Sequence, residues 1–314
     1  MIYYNQYFLL NLYMKILYIG VHYYNNEQKW RTETFIDSSF NKSNIETIKI
    51  DYRKLIKDLG QEELKRTISE KSLEADLIFL QRGDRLLPDL FSDIKLPIIL
   101  WSTEPINLKS DIDLLLKSDI FSWIFVHTYS CLKRVEEEFA HLKNKTSVIH
   151  NAISEEKITS GTVEKDFFAI FNRSLSFRRR WWLWPSRKFI KIIKGRFGDS
   201  YYSDLSRSLI SVNIHYTSKN LDDFETGIFE AMASGCIVVS EKLYSKTIED
   251  LNMNDAIIQV NSGKELKSKL KYLQLNPDVI SEFQHKSKVA IQKNTWGHRV
   301  EIFKNKFEEI LLLK

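Results

Sequence analysis

The chain has 314 residues, more than a single hydrophobic core ordinarily organises, and its 43% hydrophobic and 28% charged residues, with ten glycines and five prolines, exclude a disordered or fibrous protein. Its 46 basic and 41 acidic side chains leave a net charge of +5, which fits anionic small molecules or a lipid surface as well as nucleic acid and singles out none of them. Cys131 and Cys236 lie far apart with no neighbour at metal-ligand spacing, predicting reduced thiols in a reducing, cytoplasmic compartment and no metal site.

Residues 1–13, "MIYYNQYFLLNLY", are apolar and aromatic. They lack the basic n-region and small-residue cleavage site of a signal peptide and are too short to span a bilayer. They read as an upstream start or a small surface-seeking extension, the first being favoured, because Met14 opens the better domain start "KILYIG". From there short apolar runs at 15–20, 46–52, 75–81, 96–102, 122–128 and 146–152 read as strands, most of them buried on both faces. Helical stretches such as "EELKRTISEKSLEA" and "YSCLKRVEEEFAHL" separate them, and this alternation predicts a doubly wound parallel sheet over 14–153.

The polar stretch 154–165 breaks the pattern and reads as a linker. A second alternating series follows, with strands at 166–172, 188–195, 209–216, 236–241 and 256–260, then a helical tail to residue 314. The tail either packs on its own lobe or crosses back onto the first. The fold class is therefore α/β, two Rossmann-like doubly wound domains (14–153 and 166–314) facing a cleft. Neither half carries G-x-G-x-x-G, a Walker lysine, H-E-x-x-H or G-x-S-x-G.

The distinctive stretch is "FETGIFEAMASG", 224–235. It predicts a short helix capped by Asp222 or Asp223 and ended by Gly235, whose first amides, near Glu225, Thr226 and Gly227, favour an anion such as a diphosphate. Glu230 offers two acceptor oxygens suited to a vicinal diol such as a ribose. The plain alternative is a sheet-packing helix with solvated glutamates.

With "NIHY" (213–216) before it and "VVSE" (238–241) after it, this stretch resembles the carboxyl-lobe motif of group 1 glycosyltransferases of the GT-B fold, nearest to their spore-maturation-protein-like branch. "NRSLSFRR" (172–179) and "TWGHRVEIF" (295–303) extend the resemblance over roughly 166–310. It implies that Glu230 binds the donor ribose, that Glu225, Thr226 and Gly227 lie near the diphosphate and sugar, and that His215 and Tyr216 line the same pocket. Arg173, Arg178 and Arg179 would neutralise the diphosphate, since a guanidinium fork makes two bonds at once. Two positions depart from the family pattern. Asp222 stands where the paired glutamates' earlier member belongs, with Glu225 favoured for that role here, and Gly227 replaces an arginine common in the nearest branch.

In "RRRWWLWPSRK" (178–188), Trp181, Trp182 and Trp184 offer a stacking surface or a headgroup-level membrane anchor, but core packing is the favoured reading for them. No nucleic-acid module is recognisable. Lys194 and Arg196 read as solvated. In the amino lobe, the strand-end side chains facing the cleft are His22, Tyr23, Arg82, Asp84, Glu104 and His127. Glu104 is the first candidate for a catalytic or acceptor-contacting carboxylate, and Asp84 the second. The resemblance thus implies a cytoplasmic, metal-independent glycosyltransferase without a cofactor. Its partners would be a nucleotide-diphosphate-sugar donor, a glycan, lipid-linked or protein hydroxyl acceptor and a peripheral membrane contact, but no nucleic acid. A sugar-nucleotide epimerase of the same fold and a non-catalytic scaffold remain as alternatives.

Overall fold

The computed structural model describes residues 13–22, 30–103, 106, 108–159, 163–217 and 224–313. In the amino domain the apolar runs become β1 (Met14–Gly20), β2 (Ile45–Asp51), β3 (Leu77–Gln81), β4 (Ile98–Ser102), β5 (Trp123–Val126) and β6 (Thr146–Val148). They pair in parallel, in the order β2-β1-β3-β4-β5-β6. The crossovers hold α1 (Thr32–Lys42), α2 (Tyr52–Leu59), α3 (Gln61–Ser72), α4 (Asp113–Leu116) and α5 (Tyr129–Glu138). Alternate residues of β1 feed two cores: Leu17 and Ile19 pack on one sheet face, Ile16 and Tyr18 on the other. Burial on both faces is why these strands read as continuous apolar runs.

The carboxyl domain repeats the topology. Its strands β7 (Phe167–Phe171), β8 (Ile190–Ile192), β9 (Ser208–Asn213), β10 (Ile237–Glu241) and β11 (Ile257–Val260) form a parallel sheet in the order β11-β10-β9-β7-β8. Around it lie α6 (Phe177–Leu183), α7 (Asp199–Ser206), α8 (Thr226–Ala233), α9 (Ser245–Asp250), α10 (Gly263–Leu275) and α11 (Pro277–Gln292). In each sheet the strand order reverses beside the first strand, between β1 and β3 and between β7 and β9. Such a switch point opens a crevice at the carboxyl ends of the strands.

The final helix, α12 (Trp296–Leu312), crosses back onto the amino domain, one of the two placements open to the tail. Trp296, Val300, Phe303 and Phe307 form one stripe that packs on the amino sheet, against Phe79, Trp101 and Phe125. Each such buried side chain contributes about 1.5–3 kcal/mol, so this stripe ties the carboxyl terminus to the amino core. The chain crosses between domains twice, side by side. The Ile153 amide donates to the Asn294 carbonyl (3.1 Å), and the Trp296 amide donates to the Ile153 carbonyl (2.8 Å). Arg299 locks the crossing by donating to the carbonyl of His150 (3.0 Å) and to Asn294 Oδ1 (2.7 Å), and burial lowers its pKa to about 10. Among the described residues, no helix is long and apolar enough to cross a membrane.

Candidate active site

The crevices of the two sheets face each other across a cleft of about 640 Å³. The amino-domain wall carries Trp30, Thr103, His127 and Asn151. The opposite wall is built from Asn172 to Ser174 after β7, Arg179 on α6, the 195–198 loop with Tyr201 and Tyr202 of α7, and the start of α8.

Helix α8 forms where the small residues of "FEAMASG" allow close packing on the sheet. It begins at Thr226, with Glu225 as its cap in extended conformation. The capping expected from Asp222 or Asp223 falls outside the described residues. Its end follows the expectation: Gly235 has φ +78°, the Cys236 amide donates to the Ala231 carbonyl and the Gly235 amide to Met232 (both 3.0 Å). These paired bonds satisfy the last carbonyls, and the left-handed conformation makes glycine the fitting residue there. Rigidly seated, α8 presents its amino end and Glu230 to the cleft.

Glu225 is the centre of a charge cluster. Its carboxylate accepts from Arg173 Nη1 (2.6 Å) and from Arg179 Nη2 (3.0 and 3.1 Å to the two oxygens). Arg173 also donates to Asn213 Oδ1 (2.5 Å), and Asn213 is held in turn by Ser240 (2.9 Å). Arg179 is anchored by the carbonyls of Ile214 (2.7 Å) and Ser174 (3.0 Å). Burial opposes the charge of Arg173, but Tyr201, Glu225 and Glu230 outweigh it and hold that pKa above its ordinary value. For Arg179 burial prevails, and the pKa is lowered. Among the described residues, Asn172 Nδ2, Arg173 Nε and Thr103 Oγ1 are buried donors without acceptors. The cleft thus has unspent donors on both walls and suits a ligand with many acceptor oxygens.

The position of Arg173 explains Gly227. A Cβ built there would lie 2.4 Å from Arg173 Nη2 and 2.6 Å from Cζ, so the guanidinium occupies the space a side chain would need. A guanidinium therefore does stand at the start of α8, supplied by residue 173 after β7.

Glu230, on the same helix, accepts from the hydroxyls of Tyr201 (2.9 Å) and Tyr202 (3.3 Å), and burial raises its pKa. Tyr202 stacks on Trp30 of the amino domain at 4.9 Å between centroids, and Lys157 sits 3.5 Å over the Trp30 ring. An aromatic bridge therefore spans the cleft beside Glu230. Trp30, Phe197, Tyr201 and Tyr202 escaped the reading of the sequence. The paired tyrosines in "GDSYYSDL" are the one signal that pointed there, and their helical spacing reads equally as core.

The other candidate residues are dispersed. Arg178 lies outside the cleft lining. It donates to Glu241 and to the His215 carbonyl (2.9 Å), and Glu241 also accepts from the His215 amide (3.2 Å), so Arg178 braces the β9 and β10 ends. His215 is buried behind Glu225, with Nδ1 at 3.9 Å. Tyr216 is exposed, with the Arg179 guanidinium 5.3 Å from its ring centroid. In the amino domain His127 lines the cleft, its Nδ1 3.2 Å from the Ser102 carbonyl. Asp84 does not: Arg53 grips both its oxygens (2.8 Å each) and Tyr52 donates a third bond (2.5 Å). Burial opposes charge on Asp84, but these partners outweigh it and lower its pKa, the reverse of what a base near neutral pH requires. Arg82 pairs with the buried Glu33 (2.8 Å), and burial lowers the pKa of His22. Glu104, Tyr23 and Asp222 lie outside the described residues. Arg196, read as solvated, lines the cleft and pairs with Asp204 (3.5 Å). Of the tryptophans, Trp182 is half-buried against the carboxyl core, whereas Trp181 and Trp184 stand in solvent, contrary to the core packing expected of them.

Comparison with known proteins follows the same lines. Residues 171–305 match the family model described as glycosyl transferase-like, which spans the β7 end, α6, α8 and most of α12. No curated protein matches the chain. Among solved structures, a glycosyltransferase from Rickettsia africae is 13% identical, with a TM-score of 0.65 over 95% of this chain and 98% of its own. The sucrose-phosphate synthase of Thermosynechococcus elongatus is 9% identical, with a TM-score of 0.66 over 96% of this chain and 100% of its own. The HepE protein of Anabaena, solved with UDP and glucose, is 11% identical, with a TM-score of 0.62 over 93% and 99%. The architecture is the two-domain GT-B fold of these proteins, and the family match sets a glycosyl transferase-like segment over residues 171–305 of the carboxyl domain.

Proposed function

We propose that this protein moves a sugar, of hexose type, from a nucleoside-diphosphate donor to a hydroxyl acceptor without a metal ion. The observation that carries the reading is the amino end of α8, where Arg173 and Arg179 converge on one carboxylate inside the interdomain cleft. A diphosphate arriving there meets two guanidinium forks, the first-turn amides of a helix and the unspent donors of Asn172 and Arg173. As the sugar departs, negative charge grows on the diphosphate, and these preorganised donors stabilise it, the task a cation performs in other sites. Glu230 accepts from the donor's ribose hydroxyls, oriented by Tyr201 and Tyr202.

The acceptor, a glycan, lipid-linked or protein hydroxyl, approaches from the wall of Thr103, His127 and Asn151, where any proton removal also falls. If His127 Nδ1–H donates to Ser102, its Nε2 is left as an acceptor. The motifs at 213–216, 224–235 and 295–303 support the spore-maturation-protein-like branch, and the two buried free cysteines suit a reducing cytoplasmic setting. Because HepE was solved with UDP and with UDP-glucose, uridine is the first base to test.

Calorimetry with UDP, GDP, dTDP and CDP on the wild type and Glu230→Ala tests the reading. One nucleotide family should bind, and the variant should bind it at least about tenfold more weakly, the worth of one charge-assisted hydrogen bond. Absence of any nucleotide binding, or equal binding by the variant, would remove the donor assignment and favour a scaffold. Donor turnover with no acceptor would point to an epimerase.

A further inference from the structure

Helix α6 has two faces with different surroundings. One sends Arg178 and Arg179 to the carboxylates of the carboxyl domain. The other presents Phe177, Trp181 and Trp184, which are 85, 76 and 68% exposed. Their i, i+4, i+7 spacing sets them in one line along the helix and the turn that follows it. Arg180, Arg187 and Lys188 are exposed on the same segment, with the Arg187 guanidinium 4.1 Å from the Trp184 ring centroid. No aspartate or glutamate occurs from residue 167 to residue 198. Beside it, α10 packs its Gly263 against the Trp182 carbonyl and adds the exposed Lys264, Lys267 and Lys271.

We infer that this aromatic and basic face docks the protein peripherally on an anionic lipid bilayer. Three large aromatic rings held in water by a folded domain are costly unless something covers them, and tryptophan prefers the headgroup level, where its ring is buried and its N–H stays wet. Phosphate headgroups supply the negative charge that Arg180, Arg187 and Lys188 lack among the described residues, each basic side chain near such a surface contributing about fivefold in affinity. A second copy fits poorly, because a two-fold interface would set the basic cluster against itself. Single-stranded nucleic acid is held in a groove that tracks its backbone, whereas these rings lie outside the cleft, on one short helix and the turn after it. Since α6 also carries Arg179 into the cleft, docking brings the cleft to the lipid surface. If the proposed transfer holds, a lipid-linked hydroxyl is then the acceptor within reach.

The test is flotation of the full-length protein with phosphatidylcholine vesicles, alone or with about one-third phosphatidylglycerol. Two variants accompany it: Phe177→Ser/Trp181→Ser/Trp184→Ser, and Arg180→Glu/Arg187→Glu/Lys188→Glu. The wild type should float with the anionic vesicles and not with the neutral ones, and each variant should lose about tenfold or more in partitioning. Thermal unfolding should be unchanged, since all six side chains are exposed. Brominated lipid should quench tryptophan emission in the wild type but far less in the aromatic variant. Failure to float, or flotation unaffected by both variants, overturns the inference. So does a dimer that the aromatic variant dissolves, or tighter capture by a single-stranded oligonucleotide lost in the same variants.

Discussion

Gly227→Ala offers a direct reading of how the start of α8 works. The added Cβ would lie 2.4 and 2.6 Å from Arg173 Nη2 and Cζ, well inside contact distance, so the guanidinium must leave. It is the far end of a flexible side chain, but it is held by Glu225 at 2.6 Å and Asn213 at 2.5 Å and is largely buried. Hydrogen bonds to charged groups contribute about 1.5–3 kcal/mol each, and a displaced arginine recovers part of this in water, leaving a net loss of about 2 kcal/mol. Glu225 keeps Arg179, so the fold should survive with a melting temperature lower by roughly 4–8 °C. Nucleotide affinity should fall about tenfold or more, because one guanidinium has left the cleft. Scanning calorimetry and titration of UDP on wild type, Gly227→Ala, Arg173→Ala and the double variant close a cycle. If the clash is the cause, adding Gly227→Ala to Arg173→Ala should cost little. An equal penalty in both backgrounds would refute the argument and place the role of Gly227 in the helix backbone itself.

Other consequences follow from the same contacts. Burial raises the Glu230 carboxyl above its ordinary range, so its ionisation costs stability as pH rises through that range towards the raised folded value. Glu230→Gln should therefore melt a few degrees higher, about 2–4 °C, than wild type near neutral pH while losing nucleotide affinity. A variant that loses both would contradict the assignment. Burial also lowers the pKa of His150 despite the Asp250 carboxylate at 3.0 Å, so on acidification the unfolded chain takes up a proton that the folded one refuses. Stability should fall from about pH 7.5 to about 5.5, and His150→Gln should flatten that slope in thermal melts. Trp296→Ala removes a buried ring stacked edge-on to Trp101 at 5.4 Å and should cost about 3–5 kcal/mol in urea unfolding. An effect below about 1 kcal/mol would mean that α12 contributes little to the amino core.

Much of the fold was legible because parallel strands covered on both faces leave continuous apolar runs, and all eleven runs became strands. The final helix was harder. Its apolar stripe shows that it must pack, yet periodicity says nothing about which of two similar sheets receives it, and Phe79, Trp101 and Phe125 lie far from it in sequence. The exposed rings of Trp181 and Trp184 misled for the opposite reason. Tryptophan is highly buried on average, so a short segment with three of them reads as core, and only the position of α6 and its following turn at the domain surface separates the half-buried Trp182 from its neighbours.

At the site, legibility followed the range of the interaction. The start of α8, its Gly235 terminator and Glu230 are local features of one segment, and a segment shows them. Which arginine faces Glu225 is not local: Arg178 and Arg179 are adjacent on one helix, so their side chains diverge, and one braces Glu241 while the other enters the cleft. Asp84 illustrates the same limit, since a carboxylate at a strand end reads as a base until Arg53, thirty-one residues earlier, is seen holding both its oxygens. Gly227 and Arg173 reverse the case. Apart in sequence, the two look unrelated, a glycine at a helix start and an arginine after a strand. Placed together they form one element, because the missing side chain at 227 is the space in which the guanidinium of 173 lies. A departure from a family pattern is therefore weak grounds for lost function until the volume it frees has been checked for a replacement.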